Sequence, residues 1–501
     1  MNQSNWLRRT CPCSETIMTV AVFSVACFLH AYRLDQLPMG FYIDESSIGY
    51  NAYLISTTGM DEHGVRWPLF FEAFGEYKNP LYIYLLAGLY RLLSFTEWTT
   101  RALSACTWVV GSFYMFQLCR RLFYDPATRV YMAVILSFTP WLFSLSRISF
   151  ELITLYPLLA MHLYTLYRGS EENSHWWMFF SGFTIGLCVY AYTTFRLLTP
   201  LCCIAVLTCF CVRRLRMALF TFSLGAVVSV IPFLIYALAH FDNLSGRFNA
   251  NTYLHDPGTS ALEKLQAFFS NYFGYFSPSF LLMSGDPNLR HHTGFGGEFL
   301  AATVILLALA IWAVRNHLGD RFYMYLIVGL TLSPLAAALT LDSHHSLRAF
   351  PMVVYGIALS AYGFHELTPL AARTVLAATA LSALLYVLHY FAIYPPSSAE
   401  AFENFGFKQV LVEALDRAPS RIILSDEGEE PYINILFFGA LAHANIPLLL
   451  GSRKDLRPGD GYIFYDINYT TGRLYGLQIR PVGTVENRAA TSIHCTDAFR
   501  H

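Results

Sequence analysis

The stretch Gly40-Phe41-Tyr42-Ile43-Asp44-Glu45-Ser46-Ser47-Ile48-Gly49-Tyr50 places two adjacent carboxylates directly after the first hydrophobic segment, Ile17 to His30. Ionisable groups are costly at a bilayer edge unless they meet water, a cation or a ligand. The fold turns on whether that segment is a membrane helix, and composition indicates that it is. Only 13% of the 501 residues are charged, against about 25% in soluble domains. The charge is also uneven: residues 394–501 hold 23 of the 67 Asp, Glu, Lys and Arg. Residues 1–393 therefore read as lipid-adapted, and residues 394–501 as a water-soluble domain.

A formal net charge of −1, with no block of like charge, gives no reason to expect nucleic acid as a partner. Most of the eleven cysteines lie in apolar segments and read as small packing residues rather than a disulfide framework. Arg8 and Arg9 precede the first segment and no small-residue cleavage site follows it, which predicts an uncleaved signal-anchor helix.

A span needs about 20 mostly apolar residues. About eleven segments qualify: 15–33, 99–119, 129–146, 150–168, 174–193, 196–212, 216–240, 297–314, 322–341, 349–366 and 373–393. With the N-terminus inside, the inner loops collect Arg120, Arg121, Arg129, Arg168, Arg213, Arg214, Arg216, Arg315, Arg321 and Arg373, whereas the short outer turns hold Arg147, Arg196 and Arg348. That asymmetry follows the positive-inside tendency. Two long outer loops result, 34–98 and 241–296, and the C-terminal domain falls outside too. Residues 81–94 are apolar but short, and Ile48, Ala52 and Ile55 repeat at helical spacing. Both segments predict helices lying in the outer interface. Beyond residue 393, helix-like (407–417) and strand-like (421–424, 461–465) stretches alternate, which predicts a small α/β fold.

Polar features concentrate at the outer face: Asp44, Glu45, Lys78, Arg101, Arg147, Glu151, Arg196, Asp286, Arg290, His291, His344, His345 and Arg348. Arginine and lysine can clamp a phosphate, and a carboxylate can take a proton from an attacking hydroxyl. Together they suit transfer of a sugar from a phospholipid carrier.

One span, an Asp-Glu pair opening a long outer loop, then Lys78-Asn79-Pro80-Leu81-Tyr82-Ile83-Tyr84 and Arg101-Ala102-Leu103-Ser104-Ala105 follow in order. This layout resembles the dolichyl-phosphate-mannose protein mannosyltransferases and the bacterial aminoarabinose lipid A transferases, both of the GT-C fold. The resemblance covers roughly residues 15–390 and is most specific over 40–105. It implies an all-α polytopic membrane enzyme with a polyprenyl-phosphate sugar donor. The acceptor, a protein, lipid or glycan, would enter from the extracytoplasmic side, with inversion at the anomeric carbon. Membrane lipids would be its surroundings, in a bacterial inner membrane serving the cell envelope. By position Asp44 matches the family's catalytic Asp, Glu45 completes the Asp-Glu motif, and Lys78 matches the Lys of Glu-Lys-Pro-Pro. The chain departs from that last motif: the Glu position is Tyr77, and the first Pro is Asn79. Lys78, Arg101, Arg147, Arg196, Asp286, Arg290, His291, His345 and Arg348 are the expected substrate-binding residues.

Plainer roles stand beside these. Asp44 can cap a helix N-terminus, Lys78 can snorkel, Arg101 and Arg196 can anchor helix ends, and Arg147 with Glu151 can pair at i,i+4. Adjacent histidines rarely ligate one ion together, so no metal or other cofactor is expected. Asp286 with one histidine from each turn is the set that would hold one. A transporter, flippase or non-enzymatic assembly component is the rival class. Transporters tend to show repeats and midplane charge, and no repeat is evident here.

Overall fold

The computed structural model describes residues 12–314, 319–402, 406–416, 421–425, 432–442, 448–451, 460–468 and 472–479. Helix Arg216–Ala239 shows what kind of protein this is. It turns Met217, Phe220, Val227, Ile231 and Ile235 outward, the reverse of a soluble helix. Four helical stretches among the described residues are long and apolar enough to cross a membrane: Glu97–Leu122, Arg213–Ala239, Arg321–Ala338 and Pro369–Ala392. Five more apolar helices are shorter, Glu15–Ala31 and Pro126–Phe138 among them.

Some expected spans are shorter because the backbone breaks inside them. The segment 129–146 divides into helices Pro126–Phe138 and Pro140–Leu145. Pro140 cannot continue a helix, and it pushes Thr139 to an extended conformation at φ −60°, ψ 124°. The segment 150–168 opens with a 3₁₀ turn, Glu151–Thr154, before helix Leu155–Glu172. The segment 297–314 becomes helical only at Ala301.

The chain forms two compact units. One comprises Met1–Tyr32, Glu76–Tyr82 and Ser104–Tyr390; the other comprises Arg33–Gly75, Ile83–Leu103 and Phe391–His501. The C-terminal residues therefore share a unit with much of the first outer loop.

The first unit is a bundle of apolar helices whose close contacts are made by small residues. Helix His175–Leu187 meets Arg216–Ala239 where Gly182 and Gly225 face the opposite backbone. A Cβ on Gly182 would run into the Phe222 carbonyl, and one on Gly225 into the Phe179 carbonyl. Where lipid removes most of the hydrophobic drive between helices, such close backbone approach supplies the association.

The second unit carries a four-stranded sheet in the order Leu448–Gly451, Ile422–Ser425, Gly461–Asn468, Gly472–Ile479. Ile422 pairs in parallel with Leu448 on one side and Gly461 on the other, and the last two strands run antiparallel. Parallel neighbours need a crossover, and helix Tyr432–Leu441 lies in the connection between the first two. Phe407, Val410, Leu411, Ile422, Leu424 and Phe437 form a core that also takes in Phe41. Helix Ile43–Thr57 packs on this layer. Ser46 Oγ donates to Asn434 Oδ1 at 2.7 Å, and a Cβ on Gly49 would strike the Phe437 ring. The helix expected to lie in the interface is thus packed inside protein: Ile48, Ala52 and Ile55 are all buried. The apolar run at 81–94 forms helix Pro80–Leu92, with Leu86 and Tyr90 buried and Leu85 and Leu92 exposed.

Overpacking typically costs about 1–3 kcal/mol. Gly182→Leu should therefore lower the melting temperature of the detergent-solubilised protein. Gly88→Ala, in helix Pro80–Leu92 where a Cβ meets nothing within 4 Å, should leave it unchanged or slightly raised. Thermal unfolding followed by size-exclusion chromatography compares the two.

Candidate functional site

In the second unit, the segment before helix Ile43–Thr57 is tied down by Arg101. Its Nε donates to Glu45 Oε1 at 2.8 Å and its Nη2 to Glu45 Oε2 at 2.7 Å. Nη1 donates to the carbonyls of Leu34 and Pro38, at 3.0 and 2.9 Å, and Nη2 also to that of Gly40, at 2.7 Å. Gly40 makes the turn possible with φ +89°. All five guanidinium N–H groups are thereby used, and both side chains are almost wholly buried, at 1% and 0%. Glu45 also accepts from the Tyr42 backbone N–H at 3.3 Å, closing the first turn of the helix.

Two expectations change. Arg101 is a structural clasp rather than a substrate ligand, because its donors are spent. Glu45 is sealed from solvent with both carboxylate oxygens held by Arg101, which leaves it a holding contact in this structure. Asp44, at the second position of the same helix, is partly exposed.

In the first unit, Lys78 ends the short strand Glu76–Lys78 and is only 6% exposed, so it does not snorkel. Asn79 beside it is a hub. Its backbone N–H and its Nδ2 each donate to Glu151 at 2.7 Å, and its Oδ1 accepts from Arg196 Nη2 at 3.3 Å. Arg196 Nη1 donates to the Leu244 carbonyl at 2.8 Å. Arg348 bonds Thr340 Oγ1 at 2.8 Å and pairs with Asp342 at 2.9 Å. Both arginines line a cavity of about 400 Å³ whose other walls include Tyr192, Leu197, Phe248 and Leu339.

Arg147 belongs to neither group. It is fully buried, donates to the carbonyls of Leu29 and Tyr32, and lies 5.1 Å from the Tyr390 ring centroid. A cation there caps the C-terminal end of helix Pro12–Ala31. The helical i,i+4 pairing with Glu151 lacks its helix, since the preceding one ends at Leu145.

The second outer loop contributes a third cluster to the first unit. Asp286 Oδ2 is 2.8 Å from His291 Nδ1 and accepts from the Ser346 backbone N–H at 2.8 Å. The Asp286 N–H donates to Glu298 Oε1 at 3.0 Å, and the Ser346 hydroxyl donates to the same oxygen. Burial works to raise the Asp286 carboxyl. The hydrogen bond and charge of His291, with the charge of His345 and the Ser346 N–H, outweigh burial and hold it down at about 2. Arg290 folds back onto Asn288 Oδ1 through its backbone N–H and its Nε.

The sequence pointed to Asp44, Lys78, Arg196, Arg348 and the Asp286 group. Asn79 stands out in it only as a departure from the family's proline. Glu298 shows only as a carboxylate heading an apolar run.

These features sit in a chain with four helical stretches, among the described residues, long and apolar enough to cross a membrane. The family described as dolichyl-phosphate-mannose-protein mannosyltransferase matches residues 77–236. The fold is similar to that of ArnT from Cupriavidus metallidurans bound to undecaprenyl phosphate, with a TM-score of 0.60 and 12% identity, over 93% of this chain and 98% of that one. The apo state of the same protein gives 0.59 at 12% identity over the same shares. AglB from Archaeoglobus fulgidus, in complex with an inhibitory peptide and a dolichol-phosphate, gives 0.48 at 13% identity over 88% and 64%. No curated protein sequence matches the chain. The chain thus has an ArnT-like fold, and over residues 77–236 it is similar to the protein mannosyltransferase family.

Removing one partner of a buried ion pair costs about 3–5 kcal/mol. Arg101→Leu should therefore destabilise the protein by that order, and Arg101→Leu with Glu45→Leu should recover part of the loss because no charge is stranded. Thermal melting of the three proteins in one detergent measures both effects.

Proposed function

We propose that the chain transfers a sugar from a polyprenyl-phosphate carrier to an acceptor hydroxyl at the extracytoplasmic face, by an inverting single displacement. The observation that carries this is the cavity beside Arg196 and Arg348. Mostly apolar walls with two guanidinium groups match an isoprenoid chain that ends in a phosphate. The family match, to proteins named for a dolichyl-phosphate sugar, and the ArnT fold, seen with undecaprenyl phosphate, point to the same ligand class.

In the reaction the acceptor oxygen attacks C1 of the sugar and its proton passes to Asp44. The C1–O bond to the phosphate breaks, and the polyprenyl phosphate leaves with the electron pair. Arg196 and Arg348 offset the charge that develops on it, with Lys78 as a further cation. In a site that excludes water, this stabilisation is a large catalytic term. Glu45 and Arg101 act indirectly, by fixing the turn that presents Asp44. The proposed topology has about eleven spans. The N-terminus lies inside, and both long loops and the C-terminal residues lie on the extracytoplasmic side of a bacterial inner membrane. Protein, lipid and glycan hydroxyls are the acceptor classes that fit.

A general base typically contributes about 10²–10⁴-fold. Asp44→Asn should lower sugar transfer from polyprenyl-phosphate donors by at least about 100-fold, with a normal protein level in the membrane. Arg196→Ala and Arg348→Ala should mainly raise the carrier concentration needed for half-maximal rate. Transfer assays on membranes with labelled donor test all three, and an undiminished rate in Asp44→Asn would remove Asp44 from the mechanism.

A further inference from the structure

The two histidine pairs, His291-His292 and His344-His345, are divided by the fold in the same way. His292 has both ring nitrogens engaged by backbone: Nδ1 accepts from the Gly294 N–H at 3.1 Å, and Nε2 donates to the Gly297 carbonyl at 3.4 Å. His344 donates from Nε2 to the Gly274 carbonyl at 3.1 Å, and its ring stacks on Phe280. The other member of each pair turns toward Asp286. The His291 and His345 rings lie 4.8 Å apart, centroid to centroid. One donor atom from each of Asp286, His291 and His345 lies within 4.8 Å of the other two. Asp286 and His291 are buried, while His345 is half-buried.

We propose that Asp286, His291 and His345 hold a divalent first-row transition metal ion, with zinc the best match. Two imidazoles and one carboxylate are a donor set that zinc takes with its fourth position open. Metal–ligand bonds of about 2.0–2.1 Å set tetrahedral donor atoms about 3.4 Å apart. Holding an ion therefore requires the widest spacing to close by up to about 1.4 Å and the Asp286–His291 pair, at 2.8 Å, to open slightly. The surroundings supply the outer support such sites use. The Ser346 backbone N–H orients Asp286, and Glu298 receives both the Asp286 N–H and the Ser346 hydroxyl. Glu298 is fully buried, and its Oε2 has no hydrogen-bond partner among the described residues.

The sequence disfavoured a metal because adjacent histidines cannot easily share one ion. The fold removes that objection by drawing one histidine from each pair. Such an ion would join the second outer loop to the turn at 343–348 and keep one position for water or an oxygen ligand. The proposal does not depend on the sugar-transfer reading.

The test uses the full-length chain in detergent micelles, stripped with chelator and reloaded with zinc alone. Elemental analysis should find one equivalent per chain. Competition with a chromophoric chelator should show affinity falling by about 100-fold or more in His345→Ala and by about tenfold in Glu298→Gln. His344→Ala should stay near the starting value. A measurement on the unmutated protein guards against misfolded variants: cobalt loading should give a d–d spectrum without thiolate charge transfer. Less than a tenth of an equivalent, full affinity in His345→Ala, or a thiolate signature would overturn the proposal. The hydrogen-bonded cluster would then be only a tie between two loops.

Discussion

The buried pair of Glu45 and Arg101 is the constraint on which the start of helix Ile43–Thr57 depends. One guanidinium binds both carboxylate oxygens and three backbone carbonyls from residues 34 to 40. Those carbonyls belong to an irregular turn that has no strand or helix to satisfy them, and buried carbonyls need partners. Arg101 meets that need from helix Glu97–Leu122, some 60 residues along the chain. Its geometry fixes the turn from which helix Ile43–Thr57 begins. The Asp-Glu pair is therefore a division of labour: Glu45 is sealed in and holds the turn, while Asp44 remains partly exposed.

The C-terminal residues reinforce the same turn. Phe41, immediately before the pair, stacks on Phe437 at 4.9 Å. Gly49 leaves room for that same Phe437 ring one face further along the helix. The α/β layer is thus part of the support for the acidic motif. This gives its fold a structural purpose, even though it carries no recognisable motif of its own.

Much of this was legible in the sequence, and the rest was hidden for physical reasons. Composition and positive charge in short loops disclosed a membrane chain, because lipid selects residue types directly. Local periodicity revealed the helix after Asp44 and the strand near 422. The fate of the arginines was not legible. Arg101 and Arg147 are satisfied by carbonyls, which every residue carries, from segments far off in the chain. The sequence also does not say which histidine of a pair faces Asp286, because that follows from the backbone direction of two separate turns. The break at Pro140 was missed, because a count of apolar residues reads 129–146 as one span although proline ends the first helix locally. Glu298 lies at the head of an apolar run, and only the helix start at Ala301 shows that it belongs to the outer cluster.

The central claim is that the cavity beside Arg196 and Arg348 receives the phosphate of a polyprenyl carrier. Electron cryo-microscopy of the full chain in lipid nanodiscs, with and without added polyprenyl phosphate, tests it most directly. The account predicts new density in that cavity, with a phosphate within hydrogen-bond reach of both guanidinium groups and an isoprenoid tail along the apolar wall. Phosphate density elsewhere, or a cavity that is unchanged when the carrier is bound, would contradict it.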